Sequence, residues 1–182
     1  SWCYKHGLRG MSLSDHEGCS GFVEMEQAVN EMNLERPFQH IFANEIYLLS
    51  EQENELKDDP NKRPHYWHFL LNCLDEEGVH MLYELSSRAW LRSYVYRGLR
   101  RRPTFYTDIE EVISKNQGHI VGSSACLGGY LPHLILGDDT QKAKEFIGWG
   151  VKIFGEGNFF LECQPCLENN DEQITVNKAL WQ

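Results

Sequence analysis

The sequence predicts an α/β fold in which parallel strands and helices alternate, as they do in a (β/α) barrel. Short apolar segments that suit strands alternate with longer segments whose apolar residues recur at helical spacing. Side chains that suit metal binding also lie in or at the ends of the predicted strands, and these are Asp15, His16, Glu45, His68 and Cys126. Because the carboxyl ends of parallel strands meet at one mouth of a barrel, we expect these side chains to converge there.

The composition is that of a globular domain with no general affinity for nucleic acid. The 182 residues are enough to bury a core, and 17 Lys and Arg against 27 Asp and Glu give a net charge of −10. Contact with nucleic acid therefore requires a local basic patch. No apolar segment approaches the ~20 residues that span a bilayer, so we expect no membrane partner. Six scattered cysteines favour a reduced, cytoplasmic compartment.

The first predicted strand covers residues 8–14 and leads into Asp15 and His16, and a helix follows at about 22–32. An aspartate beside a histidine suits a metal site, where the imidazole ligates and the carboxylate orients it. The same pair also fits a helix-capping aspartate beside an exposed histidine. The pair alone does not decide between these two interpretations.

The second and third predicted strands cover residues 39–49 and 66–74, and a polar segment at 51–63 predicts an exposed loop between them. Glu45 lies in the middle of the second strand, either on a solvated face or pointing inward where a cation neutralises it. His68 lies near the start of the third strand, and His65 is a competing candidate nearer the loop.

A basic segment at residues 88–102 begins near the end of the next predicted helix, which covers about 79–90. It carries Arg88, Arg92, Arg97, Arg100, Arg101 and Arg102, interleaved with Trp90, Tyr94 and Tyr96. The segment is either a solvated surface loop or a surface where cations contact phosphates and rings stack on bases. We predict the second, with DNA-binding residues Tyr94, Tyr96, Arg97, Arg100, Arg101 and Arg102.

The second half of the chain continues the alternation, with helices at about 107–116 and 138–154, strands at 119–122 and 158–163, and a last helix at 172–181. Cys126 lies in a turn of small residues after the first of these strands, where a tight strand-to-helix connection is the alternative to a site. Cys163 and Cys166 form a C-x-x-C pair, but no second pair accompanies them, so we interpret it as accidental.

Six segments carry a family resemblance: LRGMSLSDHEGCSGF, IFANEIYLL, HFLLNCLDEEG, LYELSS, HIVGSSACLGGYLPHLI and IFGEGNFFLECQ. They resemble the successive motifs of the PHP (polymerase and histidinol phosphatase) domain. The form most similar to them is at the amino end of bacterial or phage DNA polymerase III alpha subunits, which are C-family polymerases. The resemblance covers nearly the whole chain.

The resemblance implies a distorted seven-stranded (β/α) TIM-like barrel with up to three divalent metal ions (zinc, manganese or iron). The implied ligands are His16, Glu45, His68 and Cys126, with Asp15 beside them in the catalytic group. The implied activity is a metal-dependent phosphoesterase that supports a 3′–5′ proofreading exonuclease. The implied partners are DNA, the other polymerase domains and the replisome subunits.

The family pattern also contains a His-x-His on the first strand, an aspartate soon after it, and an Asp-x-His on a late strand. These would fall before Ser1 and after Gln182, and both ends lie in helical patterns without caps. We therefore expect residues 1–182 to be a PHP domain fragment that lacks the first and last strands and is inactive alone. A stand-alone phosphatase of the histidinol-phosphate kind and a non-catalytic scaffold are the alternatives.

Overall fold

A computed structural model describes residues 2–32, 34–165 and 170–181. The strands are β1 (Gly10–His16), β2 (Gln39–Leu49), β3 (Trp67–Cys73), β4 (Tyr94–Tyr96), β5 (Leu99–Arg101), β6 (Pro103–Phe105), β7 (Ile120–Ser123) and β8 (Phe159–Phe160). The helices are α1 (Trp2–Lys5), α2 (Phe22–Asn30), α3 (Glu51–Glu55), α4 (Glu76–Leu91), α5 (Tyr106–Ile113), α6 (Tyr130–Leu136), α7 (Thr140–Phe154) and α8 (Asp171–Leu180). A 3₁₀ helix, Leu56–Asp58, follows α3.

The main sheet has the strand order β1-β2-β3-β7-β8, and β6 pairs with β2 beyond the residues that pair with β1. The β1–β2, β2–β6 and β7–β8 pairs are parallel, but β3 runs antiparallel to both of its neighbours. The prediction of an α/β fold is confirmed, and the expectation that every strand is parallel is wrong. Along the described residues the sheet is open, with β1 and β8 at its two ends.

The antiparallel direction of β3 agrees with the connection before it, residues 50–66, because this connection packs no helix on the sheet. A parallel return needs a crossover of a dozen or more residues, usually through a helix that packs on the sheet. The chain between β2 and β3 holds only α3 and the 3₁₀ helix, neither of which has a buried residue. The segment predicted as an exposed loop at 51–63 has no buried residue, but it contains short helices that were not predicted, and a capping box of Ser50 and Glu53 begins α3.

Other element boundaries differ more modestly from the predictions. β2 has the predicted bounds, whereas α6 was not predicted and β8 has only two residues. α5 begins at Tyr106, where the carboxylate of Asp108 accepts the backbone N–H of Phe105 at 2.8 Å. Cys166 of the C-x-x-C pair lies outside the described residues.

Helices cover one face of the main sheet. The buried core combines alternate sheet residues, such as Ile46, Leu48, Phe69 and Leu71, with apolar residues of α2, α4, α5, α6 and α7. The intervening residues of β2 and β3 point to the opposite face, which is less buried. That second face carries the candidate site.

A buried ion-pair network ties α4 to α5. Arg92 and Arg88 both contact the buried Asp108, and Arg92 does so through two guanidinium nitrogens. Burial by itself raises the pKa of Asp108, but the hydrogen bonds from Arg92 and from the Phe105 N–H outweigh it and hold the pKa below its usual value. The network fixes the start of α5 and the segment before it.

A separate hairpin is formed by β4 and β5, joined by the two-residue turn Arg97–Gly98. Both turn residues have positive φ, 50° and 80°, as a type I′ hairpin turn requires. We refer to residues 94–101 as the basic hairpin. Among the described helices, none combines the length and the apolar character needed to cross a bilayer.

Candidate metal centre

Three neighbouring strands bring His16, Glu45 and His68 to one edge of the sheet. His16 ends β1 directly opposite Glu45 of β2, and His68 of β3 lies opposite Tyr47. Glu45 Oε1 is 2.7 Å from His68 Nδ1, and Glu45 Oε2 is 3.7 Å from His16 Nε2. One potential ligand atom from each of the three residues lies within 4.8 Å of the others.

The antiparallel direction of β3 explains why His68 reaches this edge. His68 is the second residue of β3, and the start of an antiparallel strand lies beside the end of its neighbour. In an all-parallel sheet the same residue would lie at the far end. The expected convergence is therefore obtained with a different topology from the one the sequence predicted.

Cys126 reaches the same group from the turn after β7. Its Sγ is 3.3 Å from His68 Nδ1 and 4.0 Å from Glu45 Oε1, and it accepts the backbone N–H of Gly128 at 3.4 Å. Ala125 has a φ of 57°, which turns the chain toward the group. Burial raises the pKa of the Cys126 thiol, the Gly128 N–H lowers it, and the charge of Glu45 raises it further.

The donor set fits a divalent metal ion of borderline softness. Two imidazoles, a carboxylate and a thiol converge on one partly exposed position, and this N, O and S chemistry suits zinc and also accepts manganese or iron. Ligand atoms around a tetrahedral zinc lie about 3–4 Å apart, which follows from bonds of about 2.0–2.3 Å. Glu45 lies 2.7 Å from His68 Nδ1 and 3.7 Å from His16 Nε2, and Cys126 Sγ lies 3.3 Å from His68 Nδ1 and 4.0 Å from Glu45 Oε1, so these four distances are close to that range.

Asp15 lies outside this group, although the sequence predicted it there. Consecutive strand residues point to opposite faces, and Asp15 is on the helix-covered side, against the backbone of Gly21. A Cβ at Gly21 would lie 2.6 Å from its carboxylate. Its neighbour in register, Asn44, is buried on that side and donates to Cys19 Sγ.

The competing candidate His65 and the cysteine Cys163 of the C-x-x-C pair lie elsewhere. His65 precedes β3 and its ring stacks on Trp67 at 4.8 Å, beside His133. Cys163 is exposed, and its Sγ contacts the backbone carbonyl of Asn177 at 4.0 Å. Neither joins the group around Glu45 that the described residues form.

The basic hairpin and Arg102, which follows it, place the predicted DNA-binding residues in different environments. Arg97 and Arg100 are exposed. The Arg101 guanidinium lies over the ring of Tyr66 at 4.3 Å and near that of Tyr47 at 5.5 Å. Arg102 is instead paired with a carboxylate and stacked on a tryptophan, so it is a packing residue.

The two predicted tyrosines also differ. The hydroxyl of Tyr94 donates to Asn54 at 2.7 Å and is hydrogen-bonded to Tyr66 at 2.9 Å. Burial raises the pKa of Tyr94, and the hydrogen bond with Tyr66 raises this pKa further. Tyr96 is half-buried, and Arg97 lies over its ring at 5.5 Å. Tyr94 therefore anchors the hairpin, and the Tyr96 ring lies beside Arg97 at the turn.

Sequence reasoning missed Tyr47, whose ring links the hairpin to the candidate ligands. Its centroid is 5.1 Å from that of His68 and 5.7 Å from that of His16. Because Tyr47 is two residues after Glu45 on one strand, alternation alone would have placed both on the same face. Sequence reasoning also missed Glu17, whose carboxylate is the ion-pair partner of Arg102. No sequence pattern marks this residue.

Comparisons with known proteins identify the family of this chain. The model of the PHP domain family matches residues 2–166. The chain is 36% identical over 197 residues to "Probable DNA polymerase YorL" of Bacillus subtilis and, at the same identity, to "DNA-directed DNA polymerase" of Bacillus phage SPbeta. It is 28% identical over 176 residues to "DNA polymerase III subunit alpha" of Borreliella burgdorferi.

Each alignment covers 97% of this chain but only 15%, 15% and 14% of the respective relative. The chain thus spans about a seventh of the length of these curated relatives. The match to the family model covers most of the chain, including all four residues of the candidate metal centre. The chain belongs to the PHP domain family.

Proposed function

We propose that this chain forms a metal-dependent phosphoesterase centre in a DNA polymerase, where it removes nucleotides from DNA 3′ ends. The observation that carries the proposal is the convergence of His16, Glu45, His68 and Cys126 at one sheet edge. Membership of the PHP family and relatives named as DNA polymerases support the polymerase context.

The four converging side chains would hold the metal ion. His16 and His68 would offer imidazole nitrogens, Glu45 a carboxylate oxygen and Cys126 a thiolate. A divalent ion held there supplies a Lewis acid that polarises a phosphoryl oxygen and makes water a stronger acid at neutral pH. The contact of 2.7 Å between Glu45 Oε1 and His68 Nδ1 keeps both groups close to the shared position.

The basic hairpin would bind the DNA end beside the centre. Arg101 lies on the Tyr66 ring, and Tyr47 connects that pair to the rings of His16 and His68. A cation in this position can contact a phosphate close to the reacting ester. Arg97 and Arg100 at the exposed end of the hairpin would contact phosphates further along the strand.

Polymerase activity and replisome partners are proposed only for the whole protein, because the chain spans about 15% of its relatives' length. In that protein the centre would act on newly made DNA in the cytoplasm. Proofreading needs single-stranded 3′ ends, and a partly exposed site flanked by rings and cations suits them.

The test compares Cys126→Ala with Cys163→Ala in the full-length protein, by metal content after dialysis and by release of 3′-terminal nucleotides. We expect Cys126→Ala to lose metal and hydrolysis, because it removes a ligand, while Cys163→Ala keeps both. Equal loss in the two variants would contradict the assignment of Cys126.

The same experiment separates the two alternatives. A protein that binds metal but hydrolyses neither DNA nor a small phosphodiester would be a non-catalytic scaffold. A protein that hydrolyses small phosphomonoesters and spares DNA ends would be a phosphatase of the histidinol-phosphate kind.

A further inference from the structure

We infer that Glu17 is a positioning residue that holds the basic hairpin against the candidate metal centre. The inference deepens the proposed function and rests on it, since it concerns how a DNA end is brought to that centre. Glu17 contributes no atom to the group formed by His16, Glu45, His68 and Cys126.

The backbone of Glu17 is tied directly to the candidate ligands. Glu17 follows His16 in the chain, and its N–H donates to the carbonyl oxygen of Glu45 at 3.0 Å. Its φ is 56°, a left-handed backbone conformation that residues other than glycine rarely adopt. Such strain persists only where the surroundings fix the residue, and it is concentrated at functional sites.

The side chain of Glu17 contacts Arg102, the residue between β5 and β6. One carboxylate oxygen accepts the backbone N–H of Arg102 at 2.8 Å, and the other accepts its guanidinium Nη1 at 3.2 Å. The Glu17 side chain is only 9% exposed, so this pair is largely shielded from water. The Arg102 guanidinium also lies over the Trp90 ring of α4 at 3.9 Å.

This contact fixes the end of the hairpin nearest the centre. Arg102 immediately follows Arg101, whose guanidinium lies over Tyr66 and beside Tyr47. Tyr94 pairs with Arg101 at the same end of the hairpin, and its hydroxyl is hydrogen-bonded to Asn54 and Tyr66. Glu17 is therefore the only carboxylate among the described residues that ion-pairs with Arg102, and it links Arg101 to the strand end that carries His16.

Two substitutions separate positioning from general stability. Glu17→Gly relieves the left-handed backbone and removes both contacts to Arg102, so the backbone gain offsets part of the loss in folding stability. Glu17→Gln keeps an acceptor for the Arg102 N–H and removes the charge. Glu111→Gln is the control, because Glu111 pairs with Arg88 on the helix-covered side.

The experiment uses the full-length protein with two readouts. Hydrogen exchange measures the amides of residues 94–102, and kinetics compare kcat/KM for a single-stranded oligonucleotide 3′ end with that for a small chromogenic phosphodiester. In Glu17→Gly we expect faster exchange across the hairpin. We also expect the ratio of the two kcat/KM values to fall about tenfold, roughly 1.4 kcal/mol in transition-state binding. Glu17→Gln should lie between this variant and wild type, and Glu111→Gln should match wild type.

Each other outcome has a defined meaning. Unchanged hairpin exchange and an unchanged kinetic ratio in Glu17→Gly would overturn the inference. Equal loss on both substrates would also overturn it, since Glu17 would then act on the metal centre itself. If wild type hydrolyses neither substrate, the proposed function fails, while the exchange of the hairpin amides still tests whether Glu17 holds it.

Discussion

The His68 ring packs directly against Gly128, which has no side chain. A Cβ added at Gly128 would lie 3.1–3.2 Å from three atoms of the His68 ring. The Gly128 carbonyl also accepts the His68 N–H at 3.0 Å, and the Gly128 N–H donates to Cys126. Because Gly128 has no side chain, its backbone contacts the His68 ring, and its N–H orients the Cys126 thiol.

Gly128→Ala should therefore weaken metal binding more than it weakens the fold. The added methyl group displaces the His68 ring, and loss of ligand orientation typically weakens affinity by about 10- to 100-fold. The measurement is a zinc titration against a competing chelator. Gly148→Ala is the matched control, because nothing lies within 4 Å of a Cβ there. It should stabilise α7 by up to about 1 kcal/mol and leave affinity unchanged. Equal affinity in the two variants would contradict this role of Gly128.

At this scale the sequence predicted which side chains the structure brings together, with one exception. His16, Glu45, His68 and Cys126 were chosen for their chemistry and their motifs, and the structure brings them together. Asp15 was included because it adjoins His16. Adjacency in sequence is the wrong measure in a strand, since neighbours point to opposite faces. The strand register decides which member of such a pair faces the site.

At the scale of elements, the composition of a segment predicted its type better than its direction. The apolar residues of β2 gave its bounds correctly, because the polar segment that follows is distinct. Nothing in the pattern of β3 indicates that it runs antiparallel, since direction depends on the connection before it. α6 was missed because its short sequence follows two glycines and contains Pro132, which the first turn of a helix tolerates.

The basic hairpin provides the element-scale prediction. Within the basic hairpin, only Arg97 and Arg100 are arginines that are exposed, and neither ion-pairs with a carboxylate of the described residues, so they should carry the salt-dependent contacts with DNA. The double variant Arg97→Ala, Arg100→Ala should reduce the salt slope of binding to single-stranded DNA by about 1.4, from ~0.7 for each phosphate. Fluorescence anisotropy over a range of salt concentrations measures this slope.

Arg102→Ala gives the contrast. It leaves the shielded Glu17 carboxylate without its cation, so it should cost about 2 kcal/mol of stability, seen as a lower urea midpoint. If Arg102→Ala lowers the salt slope as much as the double variant does without lowering stability, Arg102 contacts DNA directly and its packing role is wrong.

At the scale of the whole molecule, the candidate ligands span most of the width of the sheet. They come from β1, β2, β3 and the turn after β7, and these strands are consecutive in the sheet order. The helices pack on the other face, so the ligand face has no comparable apolar core among the described residues. A metal ion would join four chain segments that are otherwise held mainly by backbone pairing on this side.

Metal binding should for that reason stabilise the domain as a unit. A ligand present at 100 times its Kd adds about 2.7 kcal/mol to the folded state. For a domain of this size, that corresponds to a rise in Tm of roughly 5–10 °C. Calorimetry of the full-length protein, with zinc and then with a chelator, should show that one of its unfolding transitions moves by this amount.

Glu45→Ala should abolish the shift, because Glu45 contacts both His16 and His68 and bridges the neighbouring strands. A shift that persists in Glu45→Ala would place the stabilising ion at another site, and its absence in wild type would mean that these four side chains bind no metal in the folded protein.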